Sequence, residues 1–402
     1  MASLYIHVPF CKSRCAYCDF YSQTLLIYIN VYSHAVVHEL ELRKDYLDGE
    51  AIETIYWGGG TPSLLQSADF ELIFNAVNRY YDISSNAEIT LEANPDDMTR
   101  EYVAALQPFP FNRISLGVQS FNDHDLRLLN RRHSARQALD AIRRCQEAGY
   151  SNLSIDLMNG LPGQTPEMWA ENLDITLRLN IPHLSAYHLS YEEGTVMYQQ
   201  LQAKSFDPVD EETSVRLFDI LIDKLEAAGY LHYELSNFCK PGSFSRHNTA
   251  YWTDRKYLGV GPAAHSYNHH SRQWNIASLP DYIEGITNTF PVETCGHTSH
   301  YASLQSQTPP LKDAVGCQEF FEKEAIDAKT RYNDYILTRL RTMWGIPQSS
   351  FLELFGREQM DYLLRQAKPY LQNGMIEKDE EKLIITRKGL FTADGIIRDL
   401  MK

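Results

Sequence analysis

Two patterns of apolar positions alternate along the first half of the chain. Short runs of branched and aromatic residues are typical of buried strands, and longer stretches with apolar positions every three or four residues are typical of amphipathic helices. The strand pattern occurs at residues 4–8, 54–57, 88–92, 113–119, 153–158 and 184–189. Because helical stretches separate these runs, the sequence predicts an α/β fold with a parallel sheet closed into a full or partial (β/α) barrel.

Local signals place several helix ends. Helices are predicted at 135–148 and 215–228, and each is followed by a glycine that can end it. A threonine followed by a proline, at 61–62 and again at 165–166, predicts a helix start with a side-chain cap and proline in the first turn.

The pattern changes near residue 325. Three helical segments are followed by two short strands around an acidic turn, which predicts a small winged-helix-like domain. We therefore expect three parts: a core barrel at 1–235, an extension at 236–324 and the terminal domain at 325–402. A polar stretch at about 290–320 is expected to be an exposed insertion or a mobile loop. Basic and acidic residues are nearly balanced in the terminal domain, so a structural or lid-like role is favoured over nucleic-acid binding.

Composition limits the classes of function. The 402 residues are 44% hydrophobic, which suffices for a full core, and the net charge of −15 disfavours a general binder of nucleic acid or anionic membranes. No run of about 18 apolar residues is present, and the ten residues before Cys11 are too few for a secretory signal. We therefore expect a cytoplasmic protein without a membrane span.

Three of the seven cysteines lie close together in the segment Cys11-Lys-Ser-Arg-Cys15-Ala-Tyr-Cys18. A short loop with this spacing can wrap a metal centre, and three thiolates leave one coordination position open. Structural zinc is disfavoured because no second cysteine or histidine pair follows at zinc-site spacing. A disulfide framework is disfavoured because the cysteines are few and odd in number. The spacing indicates an iron–sulfur site.

Polar residues follow the predicted strands at their carboxyl ends. They are the segment 58–61, Glu92, Gln119 and Asp156. In a parallel barrel such residues gather on one rim, where catalytic side chains lie. Any one of them could equally be a cap or turn residue, but their joint placement favours a site.

These motifs together resemble the radical S-adenosylmethionine (SAM) superfamily, and within it the HemN/HemW group. The resemblance rests on Tyr5-Ile-His-Val-Pro-Phe-Cys11, the cysteine triplet, Gly58-Gly-Gly-Thr-Pro62 and Leu91-Glu-Ala-Asn-Pro95. It implies that Cys11, Cys15 and Cys18 bind a [4Fe-4S] cluster, and that SAM chelates the fourth iron and is split to a 5′-deoxyadenosyl radical. The cofactor then carries the chemistry, and the protein places and shields it.

The same resemblance implies a set of residues that contact SAM. They are Tyr5, Gly59, Gly60, Thr61, Glu92, Gln119, Arg131 and Asp156, with Tyr17 as a neighbour of the adenine. Carboxylates can accept hydrogen bonds from an ammonium group or ribose hydroxyls, and an arginine can pair with the methionine carboxylate.

Two functions within the group compete. A coproporphyrinogen III dehydrogenase removes hydrogen and carbon dioxide from propionate side chains, whereas a haem chaperone carries haem to an acceptor protein. The dehydrogenases carry a long segment before the first cysteine and a further cysteine two positions after the third, where this chain has Phe20. Both differences favour the chaperone. A radical SAM enzyme with another substrate stays open, because the fold does not fix the substrate.

A third feature is His247-Asn-Thr-Ala-Tyr251-Trp252, which matches the HNxxYW motif that the group associates with haem. Imidazole is a common axial ligand of haem iron. Apart from the resemblance, a histidine beside aromatic residues is more often a hydrogen-bonded structural residue. The expected cofactors are the [4Fe-4S] cluster, SAM and haem. The expected partners are a haem-acceptor protein and an electron donor such as a flavodoxin or ferredoxin.

Overall fold

The computed structural model describes residues 1–289 and 319–402, and these form two units. The first unit contains residues 1–157 and 189–207 together with the described residues between 255 and 325. The second contains residues 158–188, 208–254 and 326–402. The chain therefore passes between the two units more than once. The predicted insertion at 290–320 lies almost wholly outside the described residues.

Within the described residues, the strands are β1 (Ala2–Val8), β2 (Ile52–Gly59), β3 (Ile83–Ala93), β4 (Arg113–Gln119), β5 (Leu153–Asn159), β6 (His183–His188), β7 (Leu231–Glu234), β8 (Asn237–Cys239), β9 (Tyr257–Val260), β10 (His265–Tyr267), β11 (Ser271–Asn275), β12 (Phe321–Ala325), β13 (Ile346–Pro347), β14 (Ile376–Lys378) and β15 (Lys382–Ile385). The first six coincide with the six strands predicted from the apolar pattern.

The helices of the same residues are α1 (Ile29–Leu42), α2 (Ser67–Tyr80), α3 (Arg100–Leu106), α4 (Asp123–Leu128), α5 (Ala135–Glu147), α6 (Pro166–Arg178), α7 (Val196–Gln202), α8 (Glu211–Ala227), α9 (Arg246–Trp252), α10 (Leu279–Thr289), α11 (Ala328–Arg339), α12 (Gln348–Gln372), α13 (Arg387–Leu390) and α14 (Ala393–Leu400). No helix in the described part of the chain is long and apolar enough to cross a membrane.

The sheet of the first unit is built around β1. Strands β1 to β5 pair in sequence order, all parallel, and β9 pairs parallel with the other edge of β1. Strands β10, β11 and β12 continue from β9 as antiparallel neighbours. Fully buried aliphatic side chains, among them Ile6, Ile55 and Leu91, form the core beside these strands. The predicted parallel α/β sheet is confirmed, and the carboxyl ends of β1–β5 share one edge.

The second unit contains two groups of three strands, of which the second forms a sheet of its own. Strands β6 and β7 each pair antiparallel with β8, and α6 packs against α8. The second group has the order β13–β15–β14, and a core that includes Tyr332, Phe351 and Leu363 lies against it. Gly356 has φ +79° and divides α12, so three helical segments precede the β14–β15 hairpin. This is the predicted winged-helix-like order, to which α13 and α14 add two helices that the sequence did not predict.

The two threonine–proline signals have different outcomes. Thr165 caps α6 as predicted, because its hydroxyl accepts a hydrogen bond from the Met168 amide at 3.3 Å. The prediction for Thr61 is wrong: only a single 3-10 turn follows, and Thr61 makes no side-chain cap. Its hydroxyl donates instead to the sulfur of Cys11 at 3.4 Å. The three-part division at residues 235 and 325 stays a prediction.

Candidate cluster and cofactor site

The three predicted ligands lie on the loop between β1 and α1. The Cys11 amide donates to the Gln23 carbonyl at 2.9 Å, and the Gln23 amide donates to the Pro9 carbonyl at 2.7 Å. These two bonds close the loop into a ring at the carboxyl end of β1. A third bond, from the Ala16 amide to the Leu129 carbonyl at 3.0 Å, fixes the middle of the loop.

The thiols of Cys11, Cys15 and Cys18 are all partly exposed, and none forms a disulfide. Burial raises the pKa of the Cys18 thiol to about 11, and it also raises the pKa of Cys11; nearby thiols add to both effects. The thiols are therefore close enough to repel one another when ionised. A bound cation relieves this repulsion and deprotonates its thiol ligands.

Three thiols on one loop suit a [4Fe-4S] cluster. Within the residues described, no three acidic, histidine or cysteine side chains come together closely enough to hold one metal ion. In a [4Fe-4S] cluster, cysteine thiolates hold the irons of a cubane, so each of three thiolates can bind a different iron. The loop is suited to that arrangement.

Gly59, the last residue of β2, and Gly60 after it allow the end of this strand to contact the cysteine loop. A Cβ atom on Gly59, which has φ +103°, would lie 2.6 Å from the His7 ring. A Cβ atom on Gly60 would lie 2.8 Å from the carbonyl oxygens of Val8 and Phe10. Only glycine permits this approach, and it brings Thr61 beside Cys11.

A chain of hydrogen bonds connects two of the thiols. Arg131 Nη1 donates to Cys15 Sγ at 3.2 Å, and its Nη2 donates to Asn94 Oδ1 at 2.5 Å. Asn94 Nδ2 donates to Thr61 Oγ1 at 3.2 Å, and Thr61 donates in turn to Cys11. The buried Arg131 Nε has no partner among the described residues. An unpaired guanidinium donor beside the thiols suits the carboxylate of a bound amino acid.

Glu92 lies at the end of β3 in a polar, largely buried setting. Its Oε1 accepts a hydrogen bond from the Tyr56 hydroxyl at 2.6 Å. Burial, together with the negative charge of Asp156, raises the pKa of Glu92 to about 7, although the hydrogen bond from Tyr56 acts to lower it. Tyr5 stacks on the Tyr56 ring, with centroids 6.2 Å apart. Two carboxylates thus lie near each other at this edge of the sheet.

Gln119 ends β4 in a strained conformation. It has φ +65°, although it is not a glycine, and only 8% of it is exposed. The pairing of β4 with β5 is irregular between Leu116 and Gln119. Backbone strain of this kind persists where the surroundings hold it, often at functional sites.

The contacts bring the predicted SAM residues together in the first unit. Burial raises the pKa of the Tyr17 hydroxyl. The charge of Arg131 acts to lower this pKa, and that of Cys15 acts to raise it. Sequence reasoning missed Asn94, which connects Thr61 to Arg131. Its position two residues after Glu92, at the carboxyl end of a strand, was a signal that could have found it.

His247 belongs to the second unit. It lies in the first turn of α9, is 1% exposed, and has its Nε2 3.0 Å from the Tyr251 hydroxyl. The two rings meet edge to face, with centroids 5.1 Å apart. The predicted haem ligand is therefore a buried, hydrogen-bonded histidine in this structure.

Comparison with known proteins places the chain in a family. The model of the radical SAM superfamily matches residues 5–175, and the model of the HemN C-terminal domain matches residues 326–392. The haem chaperone HemW of Lactococcus lactis is 36% identical over 99% of this chain and 97% of its own length. HemW of Mycobacterium tuberculosis is 30% identical over 99% and 94%. The chain belongs to the HemW family.

The chain also has animal relatives and shares its fold with a solved enzyme structure. A bovine relative, the mitochondrial radical S-adenosyl methionine domain-containing protein 1, is 31% identical over the whole chain and 87% of its own length. The structure of coproporphyrinogen III oxidase (HemN) from Escherichia coli matches with a TM-score of 0.81 at 22% identity, covering 100% of this chain and 90% of that one. The predicted superfamily, group and fold are confirmed.

Proposed function

We propose that this protein is a haem chaperone of the HemW type, which binds haem and passes it to an acceptor protein. The observation that carries the proposal is the similarity to named haem chaperones, which extends over nearly the full length of both chains. The radical SAM part is included in that similarity, so the proposed chaperone carries a [4Fe-4S] cluster and SAM.

In this proposal Cys11, Cys15 and Cys18 hold the cluster. When bound, the cluster and SAM supply one-electron reduction at the sulfonium centre. The unpaired Nε of Arg131 suits the methionine carboxylate, and Glu92 and Asp156 provide acceptors for the amino group or the ribose hydroxyls.

The remaining predicted SAM residues surround these groups. The buried Tyr17 ring is proposed to pack against the adenine, and the glycines bring backbone groups close to the cysteine loop. The Tyr5 ring stacks on the ring of Tyr56, and the side-chain amide of Gln119 lies beside Gly117. Together these groups would orient SAM and exclude water from it.

We assign His247 as the axial ligand of the haem iron. Its Nε2 now faces the Tyr251 hydroxyl in a buried position, so ligation through this atom requires Tyr251 to release it. The proposed partners are haem, an acceptor protein and an electron donor of the flavodoxin or ferredoxin type, and the proposed compartment is the cytoplasm. No nucleic acid has a part in this function.

The deciding experiment compares haem with coproporphyrinogen III. The full chain is reconstituted anaerobically and incubated with haem, or with coproporphyrinogen III, SAM and a reductant. We expect a Soret band that survives desalting and no decarboxylated product. His247→Ala should lose the band but keep its iron–sulfur absorbance, because the cluster ligands lie elsewhere in the chain. The control is His265→Ala, since His265 is exposed on β10 and stacks on Trp274. Multiple turnovers of decarboxylation, or an intact band in His247→Ala, would contradict the proposal.

A further inference from the structure

Asn94 uses both ends of its side chain inside the candidate site. Its Oδ1 accepts from Arg131 at 2.5 Å, while its Nδ2 donates to Thr61 at 3.2 Å. Each of these two partners donates in turn to a cysteine sulfur, Arg131 to Cys15 and Thr61 to Cys11. One side-chain amide therefore connects two residues that donate hydrogen bonds to cysteine sulfur atoms, and these residues are 70 positions apart in the sequence.

The surroundings hold Asn94 in this position. Its backbone amide donates to Ser63 Oγ at 3.3 Å, and the Ser63 hydroxyl donates to Asp97 at 3.0 Å. Lys12, the neighbour of Cys11, pairs with the same carboxylate at 2.6 Å. The amide of Asn94 thus lies in a network that includes the cysteine loop itself.

We propose that Asn94 is a positioning residue, which holds Thr61 and Arg131 as hydrogen-bond donors to two cluster ligands and so raises the reduction potential of the cluster. This rests on the assignment of the cluster to Cys11, Cys15 and Cys18 in the proposed function. Hydrogen bonds to the sulfur atoms are among the factors that set the potential of an iron–sulfur cluster. Reduction adds negative charge, so donated hydrogen bonds stabilise the reduced state more than the oxidised state.

The chemistry of the amide explains why this position suits asparagine. Arg131 has only donors and therefore needs an acceptor, whereas the Thr61 hydroxyl donates to sulfur and needs a donor at its oxygen. The Asn94 amide supplies one of each. Alanine at this position would leave the Arg131 guanidinium with fewer restraints and the Thr61 hydroxyl free to rotate away from Cys11.

The test is a redox titration of the reconstituted full chain without SAM, followed by electron paramagnetic resonance. Asn94→Ala should keep its iron and sulfide but show a lower midpoint potential than the wild type. Thr61→Val, which removes the hydroxyl at nearly constant shape, should shift the potential in the same direction. The double variant should shift it by less than the sum of the two, because both changes remove the same donor to Cys11.

Asn112→Ala is the matched control. Asn112 also uses both ends of its amide, accepting from the Ile89 amide and donating to the Ala87 carbonyl, each at 2.8 Å, and neither of these partners bonds to Cys11, Cys15 or Cys18 in the described residues. This variant should lower the Tm and leave the potential unchanged. An unchanged potential in both Asn94→Ala and Thr61→Val would overturn the proposal. If Cys18→Ala retained the iron of the wild type, the cluster assignment itself would be wrong.

Discussion

At the scale of single residues, the site depends on polar groups that the fold removes from water. Glu92 is a clear case, because burial raises its pKa to about 7 while Tyr56 holds it with a short hydrogen bond. A carboxyl group with a raised pKa favours its neutral form. When it ionises, the stability of the folded state falls. In the absence of SAM, no cationic ligand offsets that cost.

This shift gives a pH-dependent prediction for the protein without cluster or SAM. The folded state binds the Glu92 proton more tightly than the unfolded state, whose pKa is near 4.5. The stabilisation is therefore fully present below about pH 4.5 and is lost as the pH rises through 7. Glu92→Gln stays neutral, so its Tm should exceed that of the wild type at pH 8 and equal it near pH 4.5. The corresponding difference in the free energy of unfolding at pH 8 should be at most about 3.4 kcal/mol, from 1.36 kcal/mol per pKa unit.

Glu71→Gln is the control for this measurement, since the Glu71 side chain is exposed on α2. Its Tm should follow that of the wild type at every pH. A Glu92→Gln variant that showed the same pH dependence as the wild type would mean that Glu92 is ionised without cost in the folded chain.

At the scale of elements, α9 determines how His247 is presented. Ser245 caps this helix by accepting from the Asn248 amide at 3.3 Å, and one helical turn sets His247 against Tyr251. Residues four apart lie on the same face of a helix, so the spacing within the HNxxYW motif creates this pair. In this helix, the Nε2 atom of His247 is therefore already hydrogen-bonded to the Tyr251 hydroxyl.

Tyr251→Phe tests whether this hydrogen bond restrains haem binding. Removing the hydroxyl deletes the bond to Nε2 and leaves the ring in place. A net hydrogen bond of about 0.5–1.5 kcal/mol corresponds to roughly 2- to 12-fold in affinity, so haem should bind more tightly by that factor in a Soret titration. Tyr230→Phe removes another buried hydroxyl of the second unit, which donates to the Ile181 carbonyl, and should leave haem affinity unchanged. Weaker haem binding by Tyr251→Phe would contradict the proposed restraint.

At the scale of the whole molecule, the core of the first unit does not depend on the cysteine loop. Its buried aliphatic and aromatic side chains lie on β1–β5 and the helices beside them, and the three thiols are only partly buried. A chain of 402 residues buries enough apolar surface to fold without a metal, unlike a small zinc domain.

Removal of the iron should therefore leave the protein folded. After anaerobic chelation, the far-UV circular dichroism at 25 °C should match that of the reconstituted protein, while the Tm falls because bound ligands stabilise the folded state. The reconstituted protein treated identically without chelator is the reference. Loss of most helical signal after chelation would show that the cluster is needed for the fold.

Local patterns in the sequence determined much of this protein. Alternating apolar runs predicted the six strands β1–β6, and the cysteine spacing predicted the loop that carries the thiols. Both are properties of neighbouring residues, so they could be predicted without the fold. The radical SAM assignment came from the resemblance of the motifs to that superfamily, and the change of pattern near residue 325 led to the prediction of a winged-helix-like end.

Tertiary structure decided how residues far apart in the chain meet. Thr61 was predicted to cap a helix, but the close approach of Gly60 to the cysteine loop directs its hydroxyl to Cys11 instead. The positive φ of Gln119 and the position of Asn94 between two donors depend on neighbouring strands. The burial of His247 depends on the packing of α9 within the second unit. A sequence pattern records which residue types are present, but hydrogen-bond partners and desolvation depend on distances that only the folded chain defines.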